Sequence, residues 1–108
     1  VGGEVGSHKD SSFLITDPLS VCGIWVSLDE ASKENGCMWG VPGSHLEGPN
    51  QFLKVKETED GGHETHMDPI DPKPYCADGA VPLEVAPGSI VLLHGQFLHY
   101  SKPNTSDK

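Results

Sequence analysis

Residues of the types that bind a transition metal stand near both ends of the sequence, and the first pair is His8 and Asp10. In an extended chain, residues i and i+2 project to the same side of a strand, so this imidazole and this carboxylate would point together. Two histidines and one carboxylate on one face of an octahedron suit Fe(II), because they leave three positions open for a bidentate cosubstrate and O2. On its own, a His-x-Asp pair is more often an exposed polar strand end, so a third ligand is needed.

The third ligand has two candidates, His94 and His99. Gly95 follows His94 and predicts a bend between two strands, which favours a role for His94 in the turn or in a contact to a ligand residue. In the next predicted strand, Phe97, His99 and Ser101 share one face, where a rigid element can aim the imidazole at a metal. His99 is therefore the favoured ligand, and it requires a barrel in which the first and last strands meet.

Trp25 lies in a predicted strand, residues 20–28, whose two faces differ. Gly23 and Ser27 flank the indole on its own face, while the opposite face is apolar. The small neighbours leave room for a ligand beside an aromatic wall, and a buried core Trp explains the pattern equally well. The residue types alone leave both interpretations open.

The elements that must position these residues are short strands. The chain contains 13 Gly and 9 Pro, and the apolar runs between them are brief. This composition predicts an all-β domain of the antiparallel sandwich or jelly-roll type. The predicted strands are residues 12–15, 20–28, 37–41, 81–85, 89–93 and 96–101, and one helical turn is possible within residues 29–34.

Residues 44–79 interrupt this pattern, with poor periodicity, four Pro residues and an acidic centre. We interpret them as a long loop insertion over an open mouth of the barrel. His63 and His66 lie within it, but they do not form the His-Glu-x-x-His pattern and no predicted helix supports them. A solvated acidic loop is therefore favoured over a second metal site.

Charge and composition restrict the possible partners. The 108 residues include 16 acidic and 7 basic side chains, giving a net charge of −9 and no basic stripe for nucleic acid or anionic lipid. No apolar run approaches the roughly 20 residues that span a bilayer. Three widely spaced Cys residues favour a reducing compartment, the cytoplasm, with the peroxisome as the alternative. A small-molecule substrate is expected, and nothing indicates the oligomeric state.

Five ordered sequence blocks resemble the phytanoyl-CoA dioxygenase family. They are HKDSSFL at 8–14, GIWV at 23–26, ENGCMW at 34–39, PGSH at 42–45 and HYSKPN at 99–104. The resemblance covers nearly the whole chain in the family's order and spacing. Within the PGSH block, Pro and Gly are expected to make a turn and Ser and His to satisfy nearby backbone groups, without a catalytic role.

The resemblance implies a partial double-stranded β-helix, the C-terminal portion of a catalytic domain. It implies Fe(II) held by His8, Asp10 and His99, with 2-oxoglutarate bound beside Trp25. O2 would serve the hydroxylation of a small or lipid-like substrate, coupled to the conversion of 2-oxoglutarate to succinate. In this family an Arg shortly after the distal His pairs with the far carboxylate of 2-oxoglutarate, so either Lys108 takes that role or an Arg follows it.

Two other functions fit the same residues. A cupin-like module that binds metal without turnover has the same fold, and fold alone does not distinguish it from an enzyme. The chain begins at Val1 and is expected to be a piece of a longer protein, so an inactive fragment is the second alternative.

Overall fold

Short β-strands account for nearly all regular structure in this computed structural model, which describes residues 2–71 and 73–107. The elements are β1 (Val5–His8), the 3₁₀ turn η1 (Asp10–Ser12), β2 (Cys22–Val26), β3 (Met38–Gly40), the 3₁₀ turn η2 (Ser44–Leu46), β4 (Gln51–Glu57), β5 (His63–Pro69), β6 (Val81–Pro82), β7 (Ile90–His94) and β8 (His99–Ser101). The predicted all-β class is confirmed. The one helical turn considered within residues 29–34 is absent from these described elements.

The strands form one four-stranded sheet, in the order β1-β8-β3-β6, and two two-stranded sheets, β2-β7 and β4-β5. β1 pairs antiparallel with β8, so the first and last strands of the described chain lie side by side. This pairing is the closure that the choice of His99 required. It places the two ends of the sequence at one location.

The β2-β7 sheet has one buried face and one exposed face. Its buried face carries Trp25 and Leu93, of which Leu93 is 6% exposed. On the other face Ile24 pairs with Leu92, and these side chains are 69% and 67% exposed. Side chains alternate along a strand, so the same alternation that exposes this apolar pair turns Trp25 inward.

Several predicted strands are shorter in the structure, because local backbone bonds close turns at their ends. The strand predicted at 12–15 is absent: the N–H groups of Phe13 and Leu14 both donate to Asp10 O, which makes a helical turn. The strand predicted at 96–101 begins only at His99, because Phe97 N–H donates to His94 O across Gly95. His99 is therefore the first residue of its strand, and the expectation that it lies mid-strand is wrong.

The segment 44–79 is not the loop without regular structure that its composition predicts. It contains β4 and β5, each seven residues long, which form a hairpin with a pair at every position from Gln51↔Pro69 to Glu57↔His63. Leu53 faces Met67 across the ladder, and Lys54 forms an ion pair with Asp68. Charged residues within both strands obscure the apolar periodicity, so the composition does not predict the hairpin. Pairs of side chains across the two strands stabilise it.

The turn at residues 42–45 joins distant parts of the chain. Gly43 has a φ of +81°, a left-handed conformation that favours glycine, as the sequence predicts. Ser44 is buried, and its Oγ accepts the N–H of Leu98 at 2.8 Å, 54 residues along the chain. The expectation that Ser44 satisfies only nearby backbone groups is therefore wrong.

Among residues 2–71 and 73–107, the buried hydrophobic residues are Ala31, Cys37, Leu93 and Leu98, which form a small apolar core. Several polar residues of the described chain are also buried: Lys9, Ser11, Ser12, Ser27, Ser44 and His99. Within the described part of the chain, no helix has the length and apolar character needed to cross a membrane.

Candidate metal centre

His8, Asp10 and His99 come together at the end of the β1-β8 pair, and we call this group the candidate metal centre. One ligand atom from each lies within 4.8 Å of the others. Nε2 of His8 and Nε2 of His99 each lie 3.6 Å from Oδ1 of Asp10. The two imidazole centroids are 4.4 Å apart. The structure therefore brings together the three residues that the sequence proposed as ligands.

Two adjacent strands and one extended residue produce this arrangement. His8 and His99 are partners in the β1-β8 ladder, so their side chains leave the sheet on the same face. β1 ends at His8 and Asp10 begins η1, but Lys9 between them is extended, with φ −118° and ψ 131°. Because Lys9 is extended, the side chains of His8 and Asp10 project to the same side, as their spacing of two residues predicted, although Asp10 is not in a strand.

Backbone carbonyls orient both imidazoles. Nδ1 of His8 lies 2.7 Å from Gly6 O, and Nδ1 of His99 lies 2.9 Å from Phe97 O. A carbonyl oxygen only accepts, so each Nδ1 carries the proton and donates it. In the neutral tautomer each Nε2 then presents its lone pair toward Asp10. Ligating histidines in metal sites are held by the same kind of contact through their second nitrogen.

The three converging atoms are all electron-pair donors in that tautomer. Two imidazole lone pairs and a carboxylate oxygen at these distances repel one another unless a cation lies between them. His99 is buried, while the side chains of His8 and Asp10 are 24% exposed, so the group opens on one side. A nitrogen and oxygen donor set of this kind, with open positions, fits Fe(II).

Gly23 makes room for the carboxylate of Asp10. A Cβ on Gly23 would lie 3.4 Å from Oδ2 of Asp10 and 3.3 Å from Cβ of Leu93. Gly23 therefore lets β2 approach Asp10 closely.

The ring of Phe97 lies nearly parallel to that of His99, with centroids 6.2 Å apart, and supports the imidazole from one side.

Lys9 lies behind the candidate metal centre and is 1% exposed. Its Nζ donates to Ser44 O at 2.8 Å and to Gly48 O at 2.6 Å. It also lies 5.6 Å from the ring centroid of Tyr75. Burial lowers the pKa of the Lys9 ammonium, and the nearby charge of Glu47 opposes that shift.

A cavity of about 260 Å³ adjoins the two imidazoles. It is lined by His8, Trp25, Met38, His99 and Tyr100, among others. Trp25 also lines a larger cavity of about 620 Å³, which none of the three candidate ligands touches. Trp25 therefore lines both the cavity beside the candidate metal centre and the larger cavity.

The other histidines that the sequence raised lie elsewhere. His94 ends β7, is exposed, and accepts the N–H of Gln96 on its Nδ1 at 3.1 Å, which agrees with the predicted turn role. His63 and His66 are exposed on β5, and the only cluster of three potential ligands within residues 2–71 and 73–107 is His8, Asp10 and His99. Lys108, predicted to contact 2-oxoglutarate, lies outside the described residues.

Two residues around the site gave no signal in the sequence. Lys9 occupies the variable position of the His-x-Asp motif, where a solvated side chain is the normal expectation. Tyr75 lies in the segment interpreted as a loop, yet its hydroxyl lies 2.7 Å from Ser12 Oγ.

Comparison with known proteins gives close relatives over nearly the whole chain. The family model of phytanoyl-CoA dioxygenase (PhyH) matches residues 1–108. Phytanoyl-CoA dioxygenase 1 of Oryza sativa subsp. japonica is 44% identical over 98% of this chain and 36% of the rice protein. Phytanoyl-CoA dioxygenase domain-containing protein 1 of Mus musculus is 41% identical over 98% of this chain and 36% of the mouse protein. The chain thus spans little more than a third of the length of these relatives.

Solved structures share the fold. EvdO2 from Micromonospora carbonacea var. aurantiaca, complexed with 2-oxoglutarate, matches with a TM-score of 0.64 and 28% identity over 99% of this chain and 42% of EvdO2. The non-heme alpha ketoglutarate dependent carbocyclase SnoK from nogalamycin biosynthesis matches with a TM-score of 0.67 and 25% identity over 98% of this chain and 39% of SnoK.

These structural neighbours confirm the predicted double-stranded β-helix. The family resemblance seen in the five sequence blocks is confirmed by the family model and by the two relatives. Because that model covers every residue, the chain belongs to the phytanoyl-CoA dioxygenase family.

Proposed function

We propose that this chain carries the iron site of an Fe(II)- and 2-oxoglutarate-dependent dioxygenase that hydroxylates a small or lipid-like substrate. The observation that carries the proposal is the orientation of His8 and His99. Each donates its Nδ1 proton to a backbone carbonyl and turns Nε2 toward Asp10. That arrangement presents three donors to a cation on one side and leaves its other side free.

The chemistry needs a metal and a cosubstrate. Bound Fe(II), 2-oxoglutarate and O2 would supply oxidising power, so that 2-oxoglutarate, O2 and a C–H bond yield succinate, CO2 and an alcohol. The residues of this chain would hold and shield these groups. His8, Asp10 and His99 would bind the ion, and the cavity beside Trp25 would receive the cosubstrate next to it.

Family and neighbours support this reaction class. The chain belongs to the phytanoyl-CoA dioxygenase family, and EvdO2 has been solved in complex with 2-oxoglutarate. The substrate itself follows from none of these observations. The net charge of −9 argues against a nucleic-acid partner, and the cytoplasmic location stays a prediction.

The test is a titration in two steps, on the longest protein that carries this sequence. Fe(II) and 2-oxoglutarate are first added without O2, and we expect a weak visible charge-transfer band. O2 is then admitted, and we expect succinate to form in proportion to the 2-oxoglutarate consumed. A band without succinate would instead identify a metal-binding module, and no band at all would contradict the iron site.

Substitution of Trp25 by Ala should weaken 2-oxoglutarate binding while the protein still binds metal. The indole lines the cavity beside the imidazoles, so its loss admits water and removes one wall. We expect KM for 2-oxoglutarate to rise about tenfold, equivalent to about 1.4 kcal/mol. Steady-state succinate release at varied 2-oxoglutarate measures it.

The matched control for Trp25→Ala is Ile24→Ala. Ile24 is the neighbouring residue in β2, but its side chain lies on the opposite face and is 69% exposed. It should leave KM for 2-oxoglutarate unchanged. Equal KM values in Trp25→Ala and the unmodified protein would show that the indole is only a core residue.

A further inference from the structure

Lys9 stands between the candidate ligands His8 and Asp10 in the sequence, and it is buried, with 1% exposure. Lysine is almost never fully buried unless its charge is paired. Because Lys9 is extended, its side chain leaves the backbone on the side opposite to His8 and Asp10. The ammonium therefore points away from the candidate metal centre, and its contacts are two backbone carbonyls and the ring of Tyr75 rather than the cavity.

Carbonyl oxygens hold the ammonium. Nζ donates to Ser44 O and to Gly48 O, 35 and 39 residues along the chain. Among the described residues no carboxylate lies within ion-pair distance of the ammonium, and the charge of Glu47 acts on it from farther away. Hydrogen bonds from a charged donor are stronger than neutral ones, so these contacts tie η2 and the turn after it to the His-x-Asp segment.

Ser44 makes a second connection, to the other ligand-bearing strand. Its carbonyl accepts from Lys9, while its Oγ accepts the N–H of Leu98 at 2.8 Å. Leu98 immediately precedes His99. One buried serine thus links the residue between His8 and Asp10 with the residue beside His99.

Tyr75 completes the attachment from the far end of the segment. Its hydroxyl lies 2.7 Å from Ser12 Oγ and accepts the N–H of Asn50 at 3.0 Å. Ser12 ends η1, the turn that begins with Asp10. Gly48 precedes the β4-β5 hairpin and bonds to Lys9, and Tyr75 follows the hairpin and bonds to Ser12. Both ends of the hairpin segment are therefore hydrogen-bonded to residues next to Asp10 in the sequence or in the same 3₁₀ turn.

We propose that Lys9 and Ser44 form a clamp that sets the separation between the His8-Asp10 segment and His99, and so determines how tightly the centre binds its metal. Lys9 and Ser44 are positioning residues, since neither belongs to the group of three candidate ligands. The inference rests on the proposed function, because it assumes that the three ligands hold Fe(II). Outer contacts that orient metal ligands commonly change affinity roughly 10–100-fold when they are lost.

The experiment measures Co(II) binding by visible absorption, with Co(II) in place of oxygen-sensitive Fe(II), on the longest protein that carries this sequence. Lys9→Met keeps a long side chain without a donor, and Lys9→Arg keeps the charge and the donors. We expect Lys9→Met to raise the Kd for Co(II) at least about tenfold. Lys9→Arg should recover most of that loss.

Ser44→Ala tests the same clamp by a milder change, and it removes only the acceptor of the Leu98 N–H. It should also weaken Co(II) binding, and it keeps the proposal testable if Lys9→Met does not fold. Val85→Ala is the destabilising control, because Val85 pairs with Ala31 away from the candidate ligands. It should lower Tm without changing the Kd.

The outcomes distinguish the clamp, the metal centre and the proposed reaction. If a folded Lys9→Met or Ser44→Ala protein binds Co(II) as tightly as the unmodified protein, the clamp is wrong. The same holds if Val85→Ala weakens binding as much as they do, since general destabilisation would then explain the loss. Absence of Co(II) binding in the unmodified protein would instead remove the metal centre, and absence of succinate alone would remove only the proposed reaction.

Discussion

Replacing His99 by Ala is expected to abolish the visible band that Fe(II) and 2-oxoglutarate produce together. His99 supplies one of three donors and is the most buried of them. Its loss leaves His8 and Asp10, which sit on one short segment and offer two donors in place of a face of three. The fall in metal affinity should exceed the roughly 10–100-fold that follows from losing an outer contact, and succinate formation should drop to background.

His94→Ala is the control for that substitution. His94 is also a strand histidine close in sequence, but it is exposed and its Nδ1 is occupied by the N–H of Gln96. Its band should match that of the unmodified protein. If the band survived in His99→Ala and vanished in His94→Ala, the assignment of the third ligand would be reversed.

Gly40→Ala should damage both stability and metal binding through one contact. A Cβ at this position would lie 2.1 Å from Cζ and 2.4 Å from Cε1 of Phe97, so the ring must move. Overfilling a packed site typically costs about 1–3 kcal/mol. Phe97 also packs against the His99 ring, and its carbonyl accepts the Nδ1 proton of His99. A displaced Phe97 therefore misplaces a candidate ligand.

Urea unfolding and Co(II) titration measure these two effects on the same Gly40→Ala sample. We expect a lower unfolding midpoint together with a weaker Kd for Co(II). Gly3→Ala is the control, because a Cβ there meets nothing within 4 Å. A lower unfolding midpoint with an unchanged Kd for Co(II) would mean that Phe97 does not support His99.

Metal binding can be lost through the loss of a donor or through the displacement of a donor. His99→Ala removes a donor and should leave the fold largely intact, because the loss of one imidazole does not force neighbouring groups apart. Gly40→Ala keeps every donor, but it lowers stability and changes where His99 is held. If both substitutions weaken metal binding, the candidate metal centre depends on donor identity and on the packing behind it.

The sequence alone was sufficient for the all-β class and for selecting the three residues that the structure brings together, His8, Asp10 and His99. The all-β class followed from the Gly and Pro content and the brief apolar runs, and the His8-Asp10 pair followed from the alternation of faces along a few extended residues. His8 and Asp10 converge although one detail of the prediction was wrong: Asp10 begins a 3₁₀ turn, and extended Lys9 still aligns it with His8.

Only the tertiary structure decided how the site is supported. The β4-β5 hairpin depends on pairing between two mixed-charge strands, and composition alone predicted a loop there. The buried Lys9 contacts groups 35 and 39 residues away, and Ser44 bonds Leu98 at a separation of 54. Such contacts have no local signature, because they form only after the strands have paired and brought distant backbone groups within hydrogen-bonding distance.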